Sequence, residues 1–395
     1  IKVTRISTLL MSAFLLICCT NTALAAESII TKHSIKSEVF VEDFNFYVKL
    51  PTSYQPDSGH SYPTLYLLDN DQYMQLFFEI TDILSEGGLT PEFIIVGIKH
   101  QHRLRDFTPT ALNDLPNTGG ADKFLQYIET ELIPHITKQY STNGFKILAG
   151  HSMAGLFTLH TMQARPELFN AHFAFSPSLY WDNQTTVKSV KAFLKSRREY
   201  HNFLYMNMAN EGLDDPYDNS VAMRNGYIEL AKYIEQNAPE KFRFAAEHME
   251  QEYHMSTIAV GPFYALRSLY RKFPLPTAKI KQGLEAILLH YQALSAEVGI
   301  KITPTQSRMY NAGMYHLWAN EDLEKGLEIL KHTVAAHPES DSLHDGLAQL
   351  YAANGQLNKA LQHCEISLKI ATPASAGYQN YKRRYEEIKN MIKAD

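Results

Sequence analysis

At 395 residues the chain is longer than a single small domain, since domains usually hold about 100–200 residues. With 45% hydrophobic and 20% charged residues it is not a disordered chain, a collagen-like fibre or a disulfide-dense mini-protein. A formal charge of −5 excludes the basic footprint of a nucleic-acid or anionic-membrane binder.

The first 25 residues read as a secretory signal: Lys2 and Arg5 form a basic start, residues 9–19 are apolar, and Ala23-Leu24-Ala25 is a cleavage site. Eleven apolar residues fall short of the roughly 20 needed to span a bilayer. Cleavage removes Lys2, Arg5, Cys18 and Cys19, leaving 35 basic against 42 acidic residues and a balance of −7. Only Cys364 remains, so no internal disulfide can form; it sits in an apolar helical pattern and reads as a small buried hydrophobe. The expected compartment is outside the cytoplasm, with a bacterial periplasm the best fit.

Residues 37–275 alternate strand-like and helix-like segments. Residues 38–50, 64–68, 93–98, 145–149, 172–175, 203–208 and 242–247 are short apolar or aromatic runs of the kind covered on both faces. Between them, residues 121–140, 153–164, 187–197, 220–237 and 257–272 carry a helical period. This alternation predicts an α/β fold with a mostly parallel sheet and helices on both faces. After Phe273-Pro274-Leu275-Pro276 no strand is legible. A 34-residue period relates Gly326, Leu330 and Thr333 to Ala360, Cys364 and Ser367. The expected domains are a signal peptide (1–25), an α/β domain (26–276) and an all-α domain (277–395), with two repeat units over about 307–374 and flanking helices near 278–298 and 376–393.

The segment Phe145-Lys146-Ile147-Leu148-Ala149-Gly150-His151-Ser152-Met153-Ala154-Gly155 carries the chemistry. A strand, a serine flanked by small residues at −2 and +2, and a helix make a nucleophile elbow. Ala154 stands where glycine is usual, and its methyl is expected to fit. The N–H of Met153 at the helix start is a candidate oxyanion donor. A second donor is expected from the loop of residues 69–73, from Asn70 or Asp71. A serine needs a base, and the chain order for such folds is Ser, acid, His. His254, between the last strand and a helix, is the expected base, with His248 the competitor; His151 is expected to point away from the serine. Glu211 is the expected acid, with Asp214 and Asp215 as alternatives. His100 and His102 lack partners at ligand spacing, so no metal or cofactor is expected.

These residues resemble the putative-esterase family of α/β hydrolases, in its siderophore-esterase and feruloyl-esterase-like branch. The likeness rests on four stretches: Tyr62 to Asp69, Arg103-Leu104-Arg105-Asp106-Phe107-Thr108-Pro109, the elbow, and Phe175-Ser176-Pro177-Ser178-Leu179-Tyr180-Trp181. Asn70 departs from a usual glycine and Tyr180 from a tryptophan. The resemblance implies Ser152 and His254 as catalytic residues, with Glu211 less firmly placed. Arg103, Arg105 and Asp106 read either as an internal pair bracing a loop, the favoured reading, or as an arginine, Arg105 in particular, for a substrate carboxylate or catecholate. Tyr180 and Trp181 would line the substrate pocket or pack a lid. The helical repeats resemble tetratricopeptide repeats, although Gly313 and Leu317 stand where leucine and tyrosine are usual. The function expected is an exported serine carboxyl-ester hydrolase working through an acyl-enzyme on a small-molecule, sugar or siderophore ester. The alternatives are a catalytically inactive scaffold whose repeats bind a protein partner, and acyl transfer to an alcohol.

Overall fold

A computed structural model describes residues 30–54, 56, 59–211, 218–299 and 301–394. The signal segment and the alternative acids Asp214 and Asp215 lie outside the described residues.

Eight strands form one sheet: β1 (Ile30–Lys36), β2 (Asp43–Lys49), β3 (Tyr62–Leu68), β4 (Ile94–Ile98), β5 (Thr142–His151), β6 (Ala171–Phe175), β7 (Glu199–Met208) and β8 (Glu240–His248). Their spatial order is β1-β2-β4-β3-β5-β6-β7-β8. β2 runs antiparallel to both β1 and β4, and every other neighbouring pair is parallel. β3, β4 and β6 are buried at every position, as expected of strands with helices on both faces. β1 was not legible in the sequence because Ile30–Lys36 is polar and mostly exposed at the sheet edge.

Helices cover both faces. The first, α1 (Asn70–Glu86), begins one residue after β3, where a loop was expected. Its Asp/Asn-rich start hides the helical period of Met74, Phe77, Phe78 and Leu84, all buried. The expected helix over 121–140 forms as Ala121–Tyr127 and Ile133–Gln139, joined by a π-helical turn at Ile128–Leu132 directly before Pro134. Proline supplies no N–H to the ladder, and a π turn is one way to absorb that. The helix Met153–Ala164 is hydrophobic on all sides and runs beneath β5 and β6, which is why it shows no amphipathic stripe.

After residue 276 the described chain is helical: Thr277–Gln282, Leu284–Val298, Gln306–Trp318, Leu323–Ala336, Asp341–Ala353, Leu357–Ile370 and Tyr378–Ala394. The composition changes at residue 276, but the core does not break there. One apolar cluster joins Leu65, Ile95 and Phe173 of the sheet to Phe273, Tyr291 and Met309 of the helical region. A separate cluster lies within the later helices and includes Cys364, a free buried thiol that burial pushes up to about 12.

Gln306–Trp318 packs on Leu323–Ala336, and Asp341–Ala353 on Leu357–Ile370, as two consecutive helical hairpins. The glycine at position 313 has a packing reason. A Cβ on it would lie 2.6 Å from the Leu330 side chain, and one on Gly326 would lie 2.8 Å from the Gly313 carbonyl. The first hairpin is thus closed by two glycines facing each other. Gly313→Leu, which would install the residue usual in such repeats, is expected to destabilise the protein by about 1–3 kcal/mol through overpacking. A lowered urea midpoint would show it, and an unchanged midpoint would contradict this packing.

Candidate active site

The site is built on the ends of β3, β5, β6, β7 and β8. At its centre Ser152 joins β5 to the helix Met153–Ala164 with φ 61° and ψ −117°. A positive φ in a residue with a Cβ costs on the order of 1–3 kcal/mol and persists only where the surroundings enforce it. Here the Ser152 N–H donates to the Phe175 carbonyl at 2.9 Å, and the Ser152 carbonyl accepts from Leu156 N at 2.9 Å and Ser178 N at 3.1 Å. Across the turn, a Cβ on Gly150 would meet the Ala154 carbonyl oxygen at 2.4 Å. The close approach therefore demands glycine at 150, while the Ala154 methyl is accommodated and buried.

The strain lifts the serine hydroxyl onto Ser178 Oγ, 3.2 Å away. Two other non-glycine residues near the site also have positive φ: Asp69 at 54° after β3 and Ser176 at 35° after β6. Met153 and Asn70 are each the first residue of a helix. First-turn N–H groups have no intrahelical acceptor, so both are open in principle to an oxyanion.

His254 lies between β8 and the helix Thr257–Leu269, and its Nδ1 is 2.8 Å from Glu211 Oε1. Glu211 is 6% exposed and His254 is half-buried. A carboxylate only accepts, so Nδ1 carries the proton and Nε2 is left as a base. His248 is instead near Glu250 at 4.0 Å, at the end of β8. The structure therefore joins His254, not His248, to Glu211.

The loop that carries His254 is held by its backbone. The His254 carbonyl accepts from His151 Nε2 at 2.7 Å, and Thr257 Oγ1 lies 3.0 Å from it. Thr257 Oγ1 is also 3.0 Å from Ser176 Oγ, and the Ser176 N–H donates to Asn207 Oδ1 at 3.0 Å. Asn210 N donates to the Glu252 carbonyl at 3.0 Å, tying the acid's loop to the base's loop. His151 thus binds the loop that carries His254.

On the other side, Asp69 accepts from Arg103 Nε and Nη2 at 2.9 and 2.8 Å, and His100 Nδ1 is 3.0 Å from its other oxygen. Burial would raise the Asp69 carboxyl, but the hydrogen bonds from His100 and Arg103 and the guanidinium charge hold it below its ordinary value. Arg103 Nη2 also donates to the His151 carbonyl at 3.2 Å. The start of α1, and with it Asn70, is clamped to the elbow strand.

The substrate contacts expected from sequence separate. Arg105 is engaged by Asp106 at 2.7 Å and Glu42 at 2.9 Å and lies over the Phe40 ring. That is the bracing arrangement, the reading favoured from sequence. Trp181 is 3% exposed and its indole N–H donates to Thr110 Oγ1 at 3.0 Å, which ties it to the loop of Thr110. Tyr180 is half-buried and remains beside the site; burial raises its phenol, opposed by hydrogen bonding with Ser178 and the Arg103 charge. Sequence reasoning missed Ser178, Thr257 and the Asp69–Arg103 clamp. Repeated small polar residues directly after a strand, as in Ser176-Pro177-Ser178, were the available signal.

A serine at a strained strand–helix turn, on a mostly parallel eight-stranded sheet, with an acid-paired histidine at a later strand end, defines a serine hydrolase of the α/β-hydrolase fold. The sequence profile of the family described as putative esterases matches residues 37–264, and the chain belongs to that family. It is a carboxylic ester hydrolase. Among characterised relatives, the ferri-bacillibactin esterase BesA of Bacillus subtilis is 28% identical over 251 residues, covering 57% of this chain and 83% of the relative. A siderophore triacetylfusarinine C esterase of Aspergillus fumigatus is 29% identical over 35% of this chain and 52% of its own. Among solved structures, an IroE-like serine hydrolase from Shewanella oneidensis superposes with a TM-score of 0.69 at 27% identity, over 77% of this chain and 99% of that one. An uncharacterised protein from Capnocytophaga ochracea, at 16% identity and a TM-score of 0.59, shares the fold over 92% of this chain.

The buried His151 gives the fold an acid sensitivity. Burial, reinforced by the His254 ring, lowers His151 to about 4 from an ordinary 6.5. Between those values the unfolded chain binds a proton that the native state does not. This contribution to stability is therefore present above pH 6.5 and is lost as pH falls toward 4. His151→Gln is expected to make the pH dependence of unfolding free energy shallower across that window, by up to about 1.4 kcal/mol per pH unit. Urea melts of both proteins at pH 7, 6 and 5 read this directly; parallel slopes would contradict it.

Proposed function

We propose that the protein is an exported esterase that cleaves a siderophore ester through an acyl-enzyme on Ser152. His254 Nε2 removes the serine proton, Glu211 holds the imidazole and offsets its charge, and the N–H groups of Met153 and Asn70 receive the oxyanion. The observation that carries the reading is the 2.8 Å His254–Glu211 pair set against a serine held at φ 61°. A hydroxyl forced into that conformation has no structural use that an ordinary turn would not serve better.

The siderophore substrate rests on the two relatives named above, both siderophore esterases. Export rests on the basic, apolar and A-x-A pattern of residues 1–25; among the described residues no helix is long and apolar enough to cross a membrane. No observation favours an inactive scaffold. Water as the acyl acceptor follows from the family, and product analysis with added alcohols separates hydrolysis from transfer.

Ser152→Ala is expected to lower turnover of p-nitrophenyl acetate and of a ferric siderophore ester by at least about 10⁴-fold, and Glu211→Gln by about 10²–10⁴-fold. Steady-state assays on protein lacking residues 1–25 test both. Residual activity near wild type in Ser152→Ala would overturn the mechanism. Turnover of p-nitrophenyl acetate but not of the siderophore would overturn the substrate alone.

A further inference from the structure

The mechanism above leaves one buried nucleophilic group at the reacting atom without a role. Ser178 is 2% exposed, and its Oγ lies 3.2 Å from Ser152 Oγ. It is held rigidly. Its N–H donates to the Ser152 carbonyl at 3.1 Å, its own carbonyl accepts from Trp181 N at 3.2 Å, and Pro177 fixes the backbone before it. A buried hydroxyl is normally hydrogen-bonded, and this one is aimed at the nucleophile.

We propose that Ser178 is a catalytic residue whose hydroxyl donates a hydrogen bond to Ser152 Oγ as charge develops there. This rests on Ser152 being the nucleophile. A serine hydroxyl has one proton and two acceptor lone pairs. When the Ser152 proton is directed to His254 Nε2, Oγ can only accept from Ser178. During acylation Ser152 Oγ bonds to the ester carbon, its proton passes to His254 and the carbonyl π pair moves to the oxyanion. The oxyanion then collapses and expels the alcohol oxygen, which takes that proton from His254. During deacylation water adds to the acyl carbon as its proton passes to His254, and collapse breaks the Oγ–carbon bond, so that Oγ leaves with the electron pair and takes that proton. In both steps Oγ carries partial negative charge, and the Ser178 hydrogen bond stabilises it without transferring its proton.

The test compares wild type, Ser152→Ala, Ser178→Ala, Ser178→Cys and Ser178→Thr on p-nitrophenyl acetate. Ser178→Ala should lower kcat about tenfold with KM within about twofold, the loss of one donor to a charged centre. Ser178→Thr, which keeps the hydroxyl, should restore most of it. Wild-type kcat in Ser178→Ala or no rescue by threonine would overturn the proposal. If Ser178→Ala does not fold, Ser178→Cys, which keeps the volume but donates only weakly, decides in its place, and an unchanged kcat there overturns it. Turnover retained in Ser152→Ala would show that the underlying reading had failed, whereas an inactive Ser152→Ala beside a fully active Ser178→Ala would sink only this inference.

Discussion

Everything in the site depends on the backbone of one residue being held where it does not want to be. Ser152 at φ 61° is stable because Gly150 and Ala154 approach so closely that a single added carbon at 150 would overlap the facing carbonyl. Its own amide and carbonyl are pinned by Phe175, Leu156 and Ser178. The constraint does two things at once. It turns the chain sharply out of the sheet, and it starts a helix at the very next residue, Met153, whose first-turn N–H groups have no acceptor within the helix. An ordinary turn would give neither.

The second element of the architecture is the backbone of the base. His254 is positioned through its carbonyl as much as through its ring, by His151 from the elbow strand and by Thr257 from the following helix. Thr257 in turn meets Ser176, and Ser176 meets Asn207. His151, the residue before Ser152, therefore orients the loop of His254, and a buried polar chain across β6 and β7 supports it. Such networks are stable only when their members are satisfied. On the opposite side, the Asp69–Arg103 clamp holds the residue that precedes the helix Asn70–Glu86. Five strands contribute, and their ends meet where parallel α/β sheets gather ligands.

Much of this was legible in the sequence, for local reasons. The elbow is a contiguous motif, so Gly150, Ser152 and Met153 could be placed by spacing alone. His254 and Glu211 could be proposed from chain order, because each lies in the segment that follows a strand. The fold class was legible because buried parallel strands are near-continuous apolar runs. What was not legible is non-local or lacks an apolar pattern. β1 is a polar edge strand. The helix Asn70–Glu86 starts with residues that read as a loop. Ser178 becomes a partner of Ser152 only because β6 lies beside β5. Arg105 shows the converse: its side chain was open to a substrate reading until the fold placed Asp106 and Glu42 on either side of it.

The claim on which the rest stands is that Ser152 carries the acyl group. Rapid quenching of the enzyme with a slowly hydrolysed ester, followed by intact-mass and peptide mass spectrometry, tests it most directly. The account predicts a mass gain equal to the acyl group, on the peptide containing Ser152 and nowhere else, that decays at the rate of turnover. Steady turnover with no adduct on that peptide, or an adduct on another residue, would contradict it.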